Sequence, residues 1–460
     1  MMKVFVAIDS FKGAAGSAAA CRAAADALRE ADVREADVRE FPISDGGEGF
    51  CECIHHYLGG TWIPLSVTGP EGRTVEAKYL IVSSEAPTNR NISGAGGISE
   101  AGGISEASGA APKTAFIESA SACGYTLVSA AHPDPREQST DSATRPDPRE
   151  LTSAGVGELI ADAIRRGCTR VVLGLGGTAT MDAGLGLYTA LRNAFSAATG
   201  STFPAPQGST FPAATDTSCP AGAPLGNIEF TVCIDTFAPL TGPTGAAYMY
   251  GPQKGLRKDQ LAEADAWLSR QASRLGLSPA TPGFGAAGGL LCGLTACLRH
   301  FAERNAVFPL CLRQNAEGKG PTLKIVSGAE YLIELSGLKE AVKEAAGKDN
   351  ILIITGEGCL DEQSLTGKLT GRIANLATEQ PPATEQTAEQ AAEQATEQSR
   401  PRTKVICLSG SIGQGFDPAN SPFDEVLVIT PEGTPLSEAL AATADNIRRT
   451  LLDYCHNHPL

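Results

Sequence analysis

Seven short apolar runs, separated by stretches of helical period, decide what this chain can fold into. They are Lys3 to Ile8, Ala77 to Val82, Arg170 to Leu175, Phe230 to Ile234, Ile351 to Ile354, Lys404 to Leu408 and Val426 to Ile429. Several are apolar at nearly every position, as strands buried on both faces of a parallel sheet must be. Between them, Val156, Leu159, Ile160, Ala163 and Ile164 share one helical face, with Thr152 or Ser153 placed to cap its start and Gly167 to end it. Leu440, Ala444, Ile447 and Leu451 repeat the pattern near the C-terminus. Strands alternating with helices predict an α/β protein. At 460 residues the chain exceeds the usual size of one core, so two domains are expected.

Charge and cysteine usage narrow the function. A formal net charge of −15 argues against a nucleic-acid partner, whose phosphates need a basic face, and leaves a small phosphorylated ligand open. The thirteen cysteines are scattered, with no CxxC pair and only a CxC at Cys51 and Cys53, which reads as small apolar thiols in a reducing cytoplasm. The N-terminal apolar run stops at Asp9, too short for a signal-peptide core. The uncharged, glycine-rich stretch Gly283 to Leu298 holds five glycines and is shorter than a membrane span. A cytoplasmic protein without a membrane partner is expected; nothing in the pattern fixes an oligomeric state.

Five stretches read as insertions, near 30–40, 87–112, 131–148, 197–224 and 377–402. Each carries a short local duplication: EADVREADVRE from Glu30, GGISEA twice, PDPRE at Pro133 and Pro146, GSTFPA at Gly200 and Gly208, and an ATEQ/AEQ tract from Ala377. Polar, small or Pro-rich, they are expected to form loops or a solvated helix extension.

The chemistry-bearing residues gather where strands end. Val171 to Ala183, VVLGLGGTATMDA, runs from a strand into a glycine-rich turn and a helix expected to begin near Asp182, a place where anions bind. Gly174, Gly176 and Ala179 also fit a loose GxGxxA dinucleotide fingerprint, yet no acid follows about twenty residues on to hold a ribose. Close helix–strand packing is the competing account of these glycines. No Walker A motif occurs, since Gly367-Lys368 lacks both the earlier glycine and the following Ser/Thr, and no protein-kinase HRD or DFG pattern is present. Ser44-Asp45-Gly46-Gly47-Glu48-Gly49 follows the strand-like Glu40 to Ile43. Thr355-Gly356-Glu357-Gly358-Cys359-Leu360-Asp361 follows another strand and leads to Lys368. Carboxylates for a metal and an ammonium for phosphoryl oxygens are what Mg–phosphate chemistry needs, although a solvated turn explains any one of these acids alone. Asp9-Ser10-Phe11-Lys12-Gly13, Asp235, and Gly251-Pro252-Gln253-Lys254-Gly255 add further strand-end acids and lysines, and open α/β sheets bind ligands outside their strand C-termini.

Taken in order, these segments resemble the glycerate kinase family of bacterial, non-P-loop type. The similar stretches are AIDSFKG from Ala7, PISDGGEGF from Pro42, TSAGVGELI from Thr152, VVLGLGGTATMDAGLG from Val171, CIDTFAPLTGPTGA from Cys233, GPQKG from Gly251, GFGAAGGL from Gly283 and ITGEGCLDEQSLTGK from Ile354. The family usually reads SATNDGG around Thr178, where this chain has Met181 for Asn and Ala183 for Gly; Ala238 stands where an Asn is usual. The resemblance implies a two-domain α/β protein with its active site in the cleft between domains. A discontinuous Rossmann-like domain (1–65 plus 330–460) and an inserted α/β domain (66–329) carrying the glycine-rich turn are expected.

It further implies phosphoryl transfer from ATP, with Mg²⁺, to a hydroxyl of D-glycerate, 2-phosphoglycerate being favoured over 3-phosphoglycerate. Lys12, Lys254 and Lys368 are the expected anion binders, and Asp9, Asp45 or Asp235 the group that holds the acceptor hydroxyl or takes its proton. Asp182, Glu357 and Asp361 are the expected metal ligands, while Gly174, Gly176, Gly177 and Thr178 cradle nucleotide phosphate. Two alternatives remain beside it: an NAD-dependent hydroxy-acid dehydrogenase using the Gly174 turn, and a non-catalytic binder of nucleotide or hydroxy-acid.

Overall fold

The computed structural model describes residues 2–31, 36–83, 112–128, 146–199, 228–304, 321–361, 364, 369–378, 402–413 and 415–458. Lys368 and most of the five inserted stretches lie outside the described residues. All seven apolar runs are strands, and four more join them: β1 Met2–Ile8, β2 Ala36–Glu40, β3 Thr61–Thr68, β4 Thr74–Ser83, β5 Lys113–Glu118, β6 Cys168–Leu175, β7 Glu229–Ile234, β8 Thr322–Ser327, β9 Asn350–Glu357, β10 Thr403–Ser409 and β11 Glu425–Val428.

They form two sheets. The first has the order β11-β10-β9-β1-β2 with every pair parallel; the second has the order β3-β4-β5-β6-β7-β8, antiparallel through β5 and parallel beyond it. The chain therefore leaves the second sheet after Ser327, and β3 lies wholly within that sheet, across the expected boundary at 65.

Burial explains the near-continuous apolar runs. Val4, Val6 and Ile8 face one core with the helices Ser17–Glu30 and Thr443–Asn457, while Phe5 and Ala7 face another. That second core is shared by the sheets: Phe116, Val172 and Cys233 of the second sheet meet Ile351, Ile353 and Val405 of the first around the helices Phe50–Leu58, Gly328–Ser336, Leu338–Ala345 and Leu369–Thr378. A third core lies on the far side of the second sheet, under the helices Ala154–Arg165, Leu185–Thr199, Leu261–Arg274 and Leu290–Arg304. Among the described residues helix and sheet layers thus alternate, five in all. Among the described residues no helix is long and apolar enough to cross a membrane.

Two repeat-bearing stretches depart from expectation. The second copy in EADVREADVRE is strand β2, paired residue for residue with β1 (Val38 opposite Val4), rather than a loop or helix extension. The strand-like stretch therefore ends at Glu40, and Phe41 to Ser44 leads into the site as irregular chain. The second PDPRE copy is also built in: Met181 N–H donates to Pro148 O at 2.7 Å, and Arg149 reaches Glu263 at 3.2 Å. Near the C-terminus the expected single helix is two, Leu436–Ala441 and Thr443–Asn457, broken at Ala442 (φ −96°, ψ 11°), and Thr443 Oγ1 donates back to the carbonyls of Ala439 and Leu440. Ala444 consequently faces solvent, while Ile447 and Leu451 are buried.

Candidate functional site

In the first sheet the chain moves outward from β1 to β2 in one direction and from β9 through β10 to β11 in the other. The strand order reverses between β1 and β9, and open parallel sheets bind ligands in the crevice at such a point. The second sheet has no reversal among its parallel strands, so its glycine-rich turn after β6 lacks that crevice.

Both strands at the reversal end in acids. Asp9 follows β1, its N–H bonded to Gly356 O at 2.9 Å, and Glu357 closes β9. Ser17 Oγ donates to Ile8 O at 2.6 Å and accepts from Ile43 N–H at 2.7 Å, which draws the chain after β2 over the end of β1. Asp45 thereby arrives beside Lys12, with Oδ2 3.8 Å from Nζ and Oδ1 accepting Gly47 N–H at 2.9 Å. Asp235, at the end of β7 in the facing sheet, adds its field at Lys12. Five sequence-predicted residues, Asp9, Lys12, Asp45, Asp235 and Glu357, are therefore electrostatic neighbours where the C-terminal ends of the two sheets meet.

The charge balance of this group is negative, and its effects are visible. Burial, then the Asp45 carboxylate, with Glu357 adding, pushes the Asp9 carboxyl well above the usual range, against the opposing pull of Lys12 and the Ser10 N–H. Asp9 is 6% exposed. Lys12, whose side chain is 58% exposed, is raised above the ordinary lysine value, by Asp45 first and by Asp9, Asp235 and Glu357 with it. Glu357 is oriented by Thr370 Oγ1, which donates to Oε1 at 2.7 Å from a buried position. Among the described residues no three His, Cys, Asp or Glu side chains converge closely enough to hold a metal ion alone. A Mg²⁺ in phosphoryl transfer is ordinarily held by one or two carboxylates together with substrate phosphates, and the surplus of carboxylates around Lys12 suits that use.

Other expected site residues are placed differently. Asp182 is buried, and its two oxygens accept from Ser153 N–H (2.9 Å), Ser153 Oγ (2.7 Å), Gly184 N–H (3.0 Å) and Gly186 N–H (3.0 Å). It caps the helix Leu185–Thr199, which begins three residues later than expected, and those four donors occupy the lone pairs that a metal needs. Ser153 accordingly spends its hydroxyl on Asp182, and Thr152 Oγ1 accepts from Ala154 N–H at 3.2 Å. Lys254 is buried too, its Nζ donating to Thr178 O (2.7 Å), Thr178 Oγ1 (3.1 Å) and Thr180 O (2.8 Å), and burial lowers its pKa to about 8. It clamps the turn that was expected to bind phosphate, and Thr178 with it. Asp361 Oδ1 accepts from Ser364 N–H at 3.1 Å in a local turn.

The glycines after β6 serve close approach. A Cβ on Gly174 would sit 2.5 Å from Gly46 O, and one on Gly176 2.7 Å from Gly47 Cα. The Gly176 N–H donates to Ser119 Oγ at 3.3 Å. Gly177 takes φ +65°, which favours glycine, and its carbonyl accepts from Tyr125 N–H at 3.4 Å. The turn lets the Asp45 loop lie flat on the second sheet, and these contacts account for its glycines without a ligand. The dehydrogenase alternative rested on this turn and loses that support. Sequence reasoning missed Thr370, Ser17, Ser119 and Glu118, single polar residues outside any glycine-acid cluster.

The glycerate kinase family model matches residues 4–308 and 321–456. Glycerate 2-kinase of Escherichia coli (strain K12) is 31% identical over 381 residues, covering 82% of each chain. Glycerate kinase of Halalkalibacterium halodurans is 29% identical over 446 residues, covering 96% of this chain and 94% of that protein. A crystal structure of a candidate glycerate kinase 2 from Salmonella typhimurium LT2 superposes with a TM-score of 0.58 at 26% identity, covering 99% of this chain and 98% of that one.

Proposed function

This chain belongs to the glycerate kinase family, and from that premise we propose that it transfers the γ-phosphoryl group of ATP to a hydroxyl of D-glycerate, giving 2-phosphoglycerate. The observation that carries the reading is the meeting of Asp9, Lys12, Asp45, Asp235 and Glu357 at the strand reversal of the first sheet, opposite the ends of the second.

Phosphoryl transfer asks a protein to hold donor and acceptor in line and to balance charge on the equatorial oxygens. Lys12, exposed to the cleft and fully protonated among carboxylates, is placed to meet the transferred group or the glycerate carboxylate. Asp9, with its raised affinity for a proton, suits the task of accepting the acceptor hydroxyl's proton. Asp45 and Glu357 are the residues that would hold Mg²⁺, with Asp235 facing them. The metal would supply neutralisation of the β- and γ-phosphate charge. The unpaired thiols of the described residues fit a reducing cytoplasm, where ATP is also supplied.

Phosphorus NMR of the product made from ATP, Mg²⁺ and D-glycerate tests the regiochemistry. A 2-phosphoglycerate resonance supports the reading, and 3-phosphoglycerate alone corrects it.

A further inference from the structure

Two polar residues at the end of β5, Glu118 and Ser119, have no part in the chemistry above. β5 belongs to the second sheet, yet Glu118 Oε1 accepts the Cys51 N–H at 2.6 Å, and the Gly49 N–H also bonds to this carboxyl. These groups open the helix Phe50–Leu58, whose N-cap residue, Gly49, has no side chain to satisfy them. The same helix starts where the Ser44–Gly49 loop ends. Beside it, Ser119 Oγ bonds Gly176 N–H, and Gly176 lies against Gly47 of that loop.

We propose that Glu118 is a positioning residue: from the second sheet it caps the helix that continues the Asp45 loop, and so holds Asp45 against Lys12. The kinetic consequence rests on the phosphoryl-transfer reading; the cap itself does not. The titratable groups facing Glu118 are Glu52, Lys78, Cys51 and Cys53. Glu52 pairs with Lys78 at 3.0 Å, and Lys78 lies 4.2 Å from the centre of the Trp62 ring. Burial first, and the Glu52 carboxylate next, push the Glu118 carboxyl up to about 8, while both thiols are raised by burial. Glu118 therefore keeps its proton to a higher pH than an ordinary carboxyl, and in that form it accepts from the helix and donates toward Glu52. Glutamine reproduces that pattern; alanine removes it.

The test compares Glu118→Ala and Glu118→Gln in the full chain by amide hydrogen exchange over residues 44–51, thermal midpoint, and kcat and KM for glycerate. A lost cap should speed exchange at Gly49 and Cys51 by about tenfold in Glu118→Ala. It should also lower kcat by about tenfold with KM changed less, since a displaced Asp45 harms the transition state more than binding. Glu118→Gln should return both quantities to within roughly threefold of wild type, as a retained acceptor implies. Wild-type exchange and kcat in Glu118→Ala would overturn the proposal. So would equal losses in both variants with equal falls in thermal midpoint, the mark of packing alone. If the wild type is inactive with glycerate, the function reading fails by itself, and the exchange comparison still upholds or overturns the cap.

Discussion

Asp9 is buried among other acids, and its carboxyl is held in the protonated form to a higher pH than usual. The linkage has a definite sign. A group whose folded pKa is raised contributes stability below its unfolded value, and that contribution is lost as pH rises through the folded value. Asp9→Asn removes the ionisation and should raise the thermal midpoint at pH 8 relative to wild type. The same change should cut turnover by roughly a hundredfold or more, the usual worth of a positioned acid or base. The acid limb of the wild-type kcat/KM profile should lie above the ordinary carboxylate range, since an active Asp9 must be ionised. A scan of wild type and Asp9→Asn from pH 5 to 9 reads all three effects. Lys12→Met should do the opposite to stability, because it removes a cation whose field acts on Asp9, Asp45, Asp235 and Glu357. Its thermal midpoint should fall most at alkaline pH, and salt should restore part of the loss.

The glycine-rich segments act as packing surfaces between elements. Gly328 opens the helix Gly328–Ser336, and a Cβ there would fall on Asp45 O and against Gly46 Cα, both backbone atoms that cannot turn aside. Gly328→Ala should cost about 2 kcal/mol or more by chemical denaturation, as overpacking does. It should also lower kcat, because the displaced backbone carries Asp45. How much of this was legible in the sequence depended on how each element is buried. β1, β9 and β10 lie between two cores and announce themselves as apolar runs, whereas β2, β3 and β8 are sheet edges, mostly half-buried or exposed, with no such run. β3 even carries Pro64, which an edge strand tolerates. The acids at β1, β7 and β9 could be placed because a strand end is a fixed point in an α/β fold. Asp182 and Lys254 could not be told apart from them, since the two Ser153 donors that fill half of Asp182's bonds and all three acceptors around Lys254 come from chain segments distant in sequence. The same holds for the turn after β6, whose glycines look identical whether a phosphate or another backbone approaches.

The two sheets do not stand apart. Phe116 and Val172 from one and Phe5 and Ile353 from the other belong to a single core, with the proposed site at the rim where both sheets end. Calorimetry should accordingly show one cooperative transition for the described halves, and two resolved transitions would contradict a shared core. Phe116→Ala, which empties a fully buried ring from that core, should cost about 3–5 kcal/mol and lower activity through the junction rather than through contact with substrate. Family membership and the gathering of acids about Lys12 both lead to one central claim, that this cleft transfers phosphate to glycerate. The most direct measurement is ADP release from ATP and Mg²⁺, coupled to a spectroscopic readout, with and without D-glycerate, in wild type and in Asp45→Asn. The account predicts release that depends on glycerate and falls by roughly a hundredfold or more in the variant. Release that is absent with glycerate, or equal in the two proteins, would contradict it.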